Sequence, residues 1–163
     1  MRIFGKNLSD YVAFSKLFLG LIFAVGITRL ALSLGGVPNS TGKWASVTVA
    51  LLIGVLYYSI RVHTSGFGSY KQLLPTLWIL CTTSQVFIAA VIALAILTGK
   101  GNIFTAPEYS GGGDGRNWGH AGAHLLLGAI IAPLVFWLLG SLIMLATKKL
   151  ATRGKDTKAV AGV

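Results

Sequence analysis

A chain of 163 residues with 54% hydrophobic and 11% charged residues, at a mean hydropathy of +0.74, lacks the polar surface a water-soluble domain of this size requires. Its formal charge of +10 would suit nucleic acid, but the basic residues flank apolar runs and no nucleic-acid reading motif accompanies them. A single cysteine, Cys81, excludes an internal disulfide and a C-x-x-C site, and reads as a small buried hydrophobe.

Four apolar runs organise the chain: residues 11–34, 44–62, 73–97 and 118–145. Each can cross a hydrocarbon core of about 30 Å as a helix, at about 1.5 Å per residue. The runs are continuous and too long for the alternating strands of a membrane barrel. The expected fold is therefore an all-α integral membrane protein, a four-transmembrane-helix antiparallel bundle occupying residues 1–147. Residues 148–163 are expected to form a basic, flexible cytoplasmic tail.

Before the first run, Ser9 or Asp10 is placed to cap a helix start. Arg2 and Lys6 followed by an apolar stretch resemble a signal peptide, with Ala31-Leu32-Ser33 as a passable cleavage site. The run continues past Arg29 to Leu34, which favours a retained signal anchor. Lys16 can snorkel along the first span. Short connections at 35–42 and 63–70 make sequence neighbours antiparallel, whereas the 100–117 connection is long. If the N-terminus is cytoplasmic, nine basic residues (Arg2, Lys6, Arg61, Lys71, Lys148, Lys149, Arg153, Lys155, Lys158) lie inside and three (Lys43, Lys100, Arg116) outside. That imbalance follows the positive-inside rule and places both termini in the cytoplasm, with the long loop outside. It assigns the chain to the cytoplasmic membrane, its basic side against anionic lipid headgroups.

Small residues recur at spacing four in Gly20/Ala24, Ser46/Ala50/Gly54, Ala89/Ala93 and Gly128/Ala132, a pattern that suits close helix packing. Pro133 should kink the fourth span and free a carbonyl near Ala129. Trp44 and Trp118 suit the membrane interface. In the third span Ser84 can bond back to its own helix, while Gln85, near the midplane, needs an interhelical partner.

The residues with most chemical potential are His120 and His124, four apart on one helix face with Asn117 and Gly128. They could supply two imidazoles to a divalent metal, with Glu108 or Asp114 from the preceding loop as a further ligand. A bis-histidine haem is disfavoured because the two share a face and His63 lies at the opposite surface; a single-ligand or subunit-bridging haem stays open. By depth, Thr28, Arg29 and Thr48 fall near His124, which outlines a polar vestibule under the long loop. Arg29 could there meet Glu108 or Asp114. Gly111–Gly115 lacks the ending of a phosphate loop and reads as a flexible turn.

Three functional readings remain. The first is a non-catalytic accessory or assembly subunit, self-associating or docked on a larger membrane complex. The second is binding or transport of a small solute or metal through the outward vestibule. The third is a membrane metalloenzyme using His120 and His124.

Overall fold

The computed structural model describes residues 2–160, with side chains through residue 151. It is mostly helical, and four helical segments are long and apolar enough to cross a membrane: Leu8–Leu34, Asn39–Thr64, Tyr70–Thr98 and Trp118–Ala151. The chain is a multi-pass membrane protein. Large apolar side chains are exposed on every long helix, among them Leu17, Ile27, Leu52, Leu94, Leu126 and Leu142, as contact with lipid requires.

A two-stranded antiparallel hairpin, β1 (Arg2–Ile3) and β2 (Lys6–Asn7), precedes the first helix. Its turn residues Phe4 and Gly5 both have positive φ, 47° and 86°, the twist that two-residue hairpins favour. Helix α1 (Leu8–Leu34) is capped at Asn7, whose N–H donates to the Asp10 carboxylate at 2.7 Å. The cap thus precedes both Ser9 and Asp10, and Asp10 acts as its reciprocal acid. Hydrogen bonds seat the hairpin: the Tyr11 hydroxyl donates to the Ile3 carbonyl at 2.9 Å, and Gln72 Nε2 to the Phe4 carbonyl at 2.8 Å.

The second span begins with a helical turn, α2 (Asn39–Gly42), and continues as α3 (Val47–Thr64). Trp44, the first residue of the expected run and suited to the membrane interface, lies in the break between them and is 82% exposed. Ser46 caps α3 by accepting from the Val49 N–H, so this small residue serves the helix end. Helix α4 (Tyr70–Thr98) packs on α1, α3 and the whole fourth span. Its Pro75 lies in the second turn and lacks the N–H that would otherwise reach the Lys71 carbonyl.

The fourth span comprises α5 (Trp118–Ala123), a π-helical stretch (His124–Ile131) and α6 (Ala132–Val160). Pro133 explains the widened turn. Its ring has no N–H and crowds the carbonyl four residues back, and i→i+5 bonding relieves the crowding. The Ala132 N–H accordingly donates to the Leu127 carbonyl, and the Ala129 carbonyl receives the Thr82 hydroxyl in a long 3.5 Å bond. Helix α6 continues past Leu145, where the apolar run ends, because the polar residues that follow include good helix formers. The basic side chains of Arg153, Lys155 and Lys158 lie outside the described residues.

Close approach at glycine fixes the helix pairs. A Cβ on Gly26 of α1 would collide with the Phe87 ring of α4; one on Gly54 would meet Phe18 at 2.9 Å; one on Gly140 would meet Ser59 Oγ at 2.5 Å. Gly20 has open space around its Cβ position, so the Gly20/Ala24 pair faces away from the other helices. A Cβ on Gly128 would lie 2.5 Å from the Gln85 side chain, where a neighbouring backbone was expected.

Candidate functional site

The long loop is not a free lid. Asn102, Ile103, Phe104 and Thr105 are buried, and the Ile103 N–H donates to Ser33 Oγ at 2.8 Å. Asn102 holds the loop's turn by accepting from the Phe104 N–H at 2.9 Å. Farther along, Arg116 ties the loop's end to its start: Nη1 donates to the Gly99 carbonyl at 2.7 Å, while Nη2 pairs with Asp114 at 2.9 Å. Hydrogen bonds from Arg116 hold the Asp114 carboxyl below the usual carboxylate range. Because its folded value is lowered, the stabilisation is present above the unfolded aspartate value of about 3.9 and is lost as pH falls through the folded value. The pair is exposed, so the effect on stability is small. Arg116→Ala should nevertheless return the Asp114 titration midpoint, followed by NMR, to the ordinary range. An unchanged midpoint would mean that the pair does not persist in solution.

The loop's aromatic residues cover Arg29. This residue is 8% exposed, and its guanidinium sits 5.0 Å from the Phe104 ring and 4.9 Å from the Tyr109 ring. Its Nε has no hydrogen-bond acceptor. Among the described residues the sole salt bridge joins Asp114 and Arg116, so Arg29 has no carboxylate partner. Neither carboxylate that could have met it does so: Glu108 accepts from Asn39 Nδ2 at 3.4 Å, and Asp114 is engaged by Arg116. Both carboxylates are held at the exposed rim, and ring faces occupy the places they would have taken.

Arg29, Thr48 and His124 line one cavity of about 160 Å³ together with Val47, Ile88, Phe104 and Tyr109. The depth argument thus brings three of its candidates to one wall; Thr28 is exposed and outside it. A wider depression of about 660 Å³ lies over the loop and includes Asp114 and Arg116. Those charges satisfy each other, so the smaller cavity has the stronger unmet chemistry.

A hydrogen-bonded series runs beside the cavity. Gln85 Oε1 lies 2.6 Å from His124 Nδ1, His124 Nε2 lies 3.3 Å from His120 Nε2, and His120 Nδ1 lies 3.0 Å from the Gly115 carbonyl. Asn117 fixes the start of α5 by accepting from the His120 N–H at 2.8 Å. Gly115 packs closely on the loop's buried turn, since a Cβ there would lie 2.7 Å from the Thr105 carbonyl oxygen. Gln85 therefore finds its interhelical partner in His124. Ser84 is buried and donates to the Cys81 carbonyl at 2.8 Å, bonding back to its own helix. His63 lies in the last turn of α3, apart from this group.

Sequence reasoning missed Phe104 and Tyr109. The signal was Ile103-Phe104, an apolar pair within an otherwise polar, glycine-rich loop, which has no reason to face water. Among the described residues no cluster of three or more histidine, cysteine or acidic side chains forms, so Glu108 and Asp114 do not join the histidine pair. No family model, curated protein or solved structure matches this chain.

Proposed function

We propose that this protein binds a small anionic solute in the Arg29 cavity. The observation that carries the reading is a buried guanidinium with no counter-ion and an unsatisfied Nε, on the wall of a cavity. An arginine within a membrane span costs about 2.5–3.5 kcal/mol on insertion scales. Two ring contacts return about 0.5–2 kcal/mol each. They offset much of the cost but accept no in-plane hydrogen bond, so the guanidinium fork remains available to a carboxylate or phosphate. The volume holds several waters and hence an anion of a few heavy atoms. Thr48 adds a hydroxyl-bearing residue to the lining, while the Tyr109 hydroxyl is directed to the Asn39 carbonyl.

Orientation follows from the basic residues. The loop end, with the cavity, faces the outside of the cytoplasmic membrane, and both termini face the cytoplasm. In a Cys81→Ser background, a cysteine placed at Ser110 should react with an impermeant thiol reagent added outside. Labelling from the cytoplasmic side alone would invert the topology. An accessory-subunit role has less support, because exposed apolar side chains surround the long helices without marking one docking face among the described residues.

Thermal melts test the binding reading. In nanodiscs of zwitterionic lipid, millimolar acetate or phosphate should raise the melting temperature of the wild type but not of Arg29→Met, since a ligand at 100 times its Kd stabilises by about 2.7 kcal/mol. Stabilisation by phosphatidylglycerol alone would identify the anion as a lipid headgroup. Equal responses in both proteins would contradict the assignment.

A further inference from the structure

The histidine pair poses a separate problem of proton placement. A backbone carbonyl can only accept, so His120 Nδ1, 3.0 Å from the Gly115 carbonyl, carries the ring proton in the neutral form. Its Nε2 is then a bare lone pair. His124 Nδ1 lies 2.6 Å from Gln85 Oε1, and with the amide in this orientation the proton sits on Nδ1 there too. Two lone pairs thus face each other at 3.3 Å, with ring centroids 5.0 Å apart. That arrangement is repulsive unless a cation, either a proton on one Nε2 or a metal ion, lies between them.

We propose that His120 Nε2 and His124 Nε2 together hold a divalent transition-metal ion, with zinc the best fit. Two nitrogens at about 2.0–2.1 Å from a tetrahedral zinc stand about 3.3–3.4 Å apart, which matches the spacing found. A square-planar or octahedral ion would need them closer, at about 2.9 Å. Each ring also donates its remaining N–H to a carbonyl oxygen, as metal-ligating histidines do, which fixes tautomer and orientation. The helix supplies the pair through its four-residue spacing; Asn117 anchors its start, and Gly128 admits the Gln85 side chain.

No third protein ligand joins them among the described residues, so two positions of a four-coordinate ion are left to water or solute. The site is therefore an open and exchangeable one, unlike a closed structural zinc centre. His124 also lines the Arg29 cavity, so a metal there adds positive charge beside a solute anion. The metal assignment itself does not depend on that anion.

The competing arrangement turns the Gln85 amide over. Its Nε2 then donates to His124 Nδ1, His124 Nε2 donates to His120 Nε2, and the series closes as neutral hydrogen bonds without a metal.

Cobalt(II) titration of tag-free protein in detergent separates the two. The wild type should bind one cobalt per chain with the visible d–d bands of a tetrahedral, imidazole-bound ion, and zinc should displace it. His120→Ala and His124→Ala should each weaken binding at least tenfold, while His63→Ala, at the far end of α3, keeps the spectrum. The wild-type spectrum needs no variant to fold: a folded wild type that gives no tetrahedral bands overturns the proposal. So does cobalt binding of equal affinity in the folded double variant.

Discussion

Gly26→Leu should leave little folded protein, whereas Gly20→Leu, earlier on the same helix, should be tolerated. A Cβ on Gly26 collides with the Phe87 ring, and that ring cannot swing aside freely. It packs edge-on against Phe23 at 5.9 Å and Phe104 at 6.2 Å. Overpacking a tight site costs about 1–3 kcal/mol, and a leucine adds three carbons beyond the Cβ that already clashes. Moving Phe87 also disturbs Phe104, the ring that covers Arg29, so any surviving Gly26 variant should lose solute binding as well. Nothing lies within 4 Å of a Cβ at Gly20, where a leucine meets lipid. Denaturation in mixed micelles, followed by circular dichroism, compares the two. Similar midpoints would mean that the α1–α4 contact is placed wrongly. Gly128→Leu should act differently, by pushing the Gln85 side chain away from His124.

Arg29→Met carries effects of opposite sign. Methionine roughly fills the space but removes a charge that no carboxylate balances. Replacing buried ionic groups with apolar ones of similar volume is often stabilising by about 1–4 kcal/mol. Here the lost contacts to Phe104 and Tyr109 reduce the gain, so the ligand-free variant should be about 1–2 kcal/mol more stable than the wild type. The same variant should lose the response to anions. A residue retained only for packing would show the reverse, a stability loss with no change in binding.

How far the sequence reveals this arrangement differs by element. The four spans were legible because an unbroken apolar run of that length suits a membrane-crossing helix and little else. The fourth span's Pro133 gave a freed carbonyl near Ala129, and the Thr82 hydroxyl meets it; the π-helical turn that accompanies it was not legible, because crowding at a proline has several local remedies. Helical arithmetic put Arg29, Thr48 and His124 at one depth, and they share one cavity. It could not say which loop residues fold over them. Charge alone suggested Glu108 or Asp114 for Arg29. Yet Asp114 has Arg116 two residues away, a shorter closure than the path to Arg29, and burial of Ile103-Phe104 turns rings inward. Long-range loop packing depends on such competitions, which periodicity does not encode.

Direct binding decides the central claim. The small anion that most stabilises the wild type should be titrated calorimetrically into wild type, Arg29→Met and Arg29→Lys in zwitterionic nanodiscs. We expect saturable one-to-one binding to the wild type. Arg29→Met should weaken it about a hundredfold, in keeping with the roughly 2–5 kcal/mol carried by a buried hydrogen-bonded charge pair. Arg29→Lys should be intermediate, because a lysine keeps the charge but loses the planar fork. Equal affinities in wild type and Arg29→Met, with both proteins folded, would contradict the account.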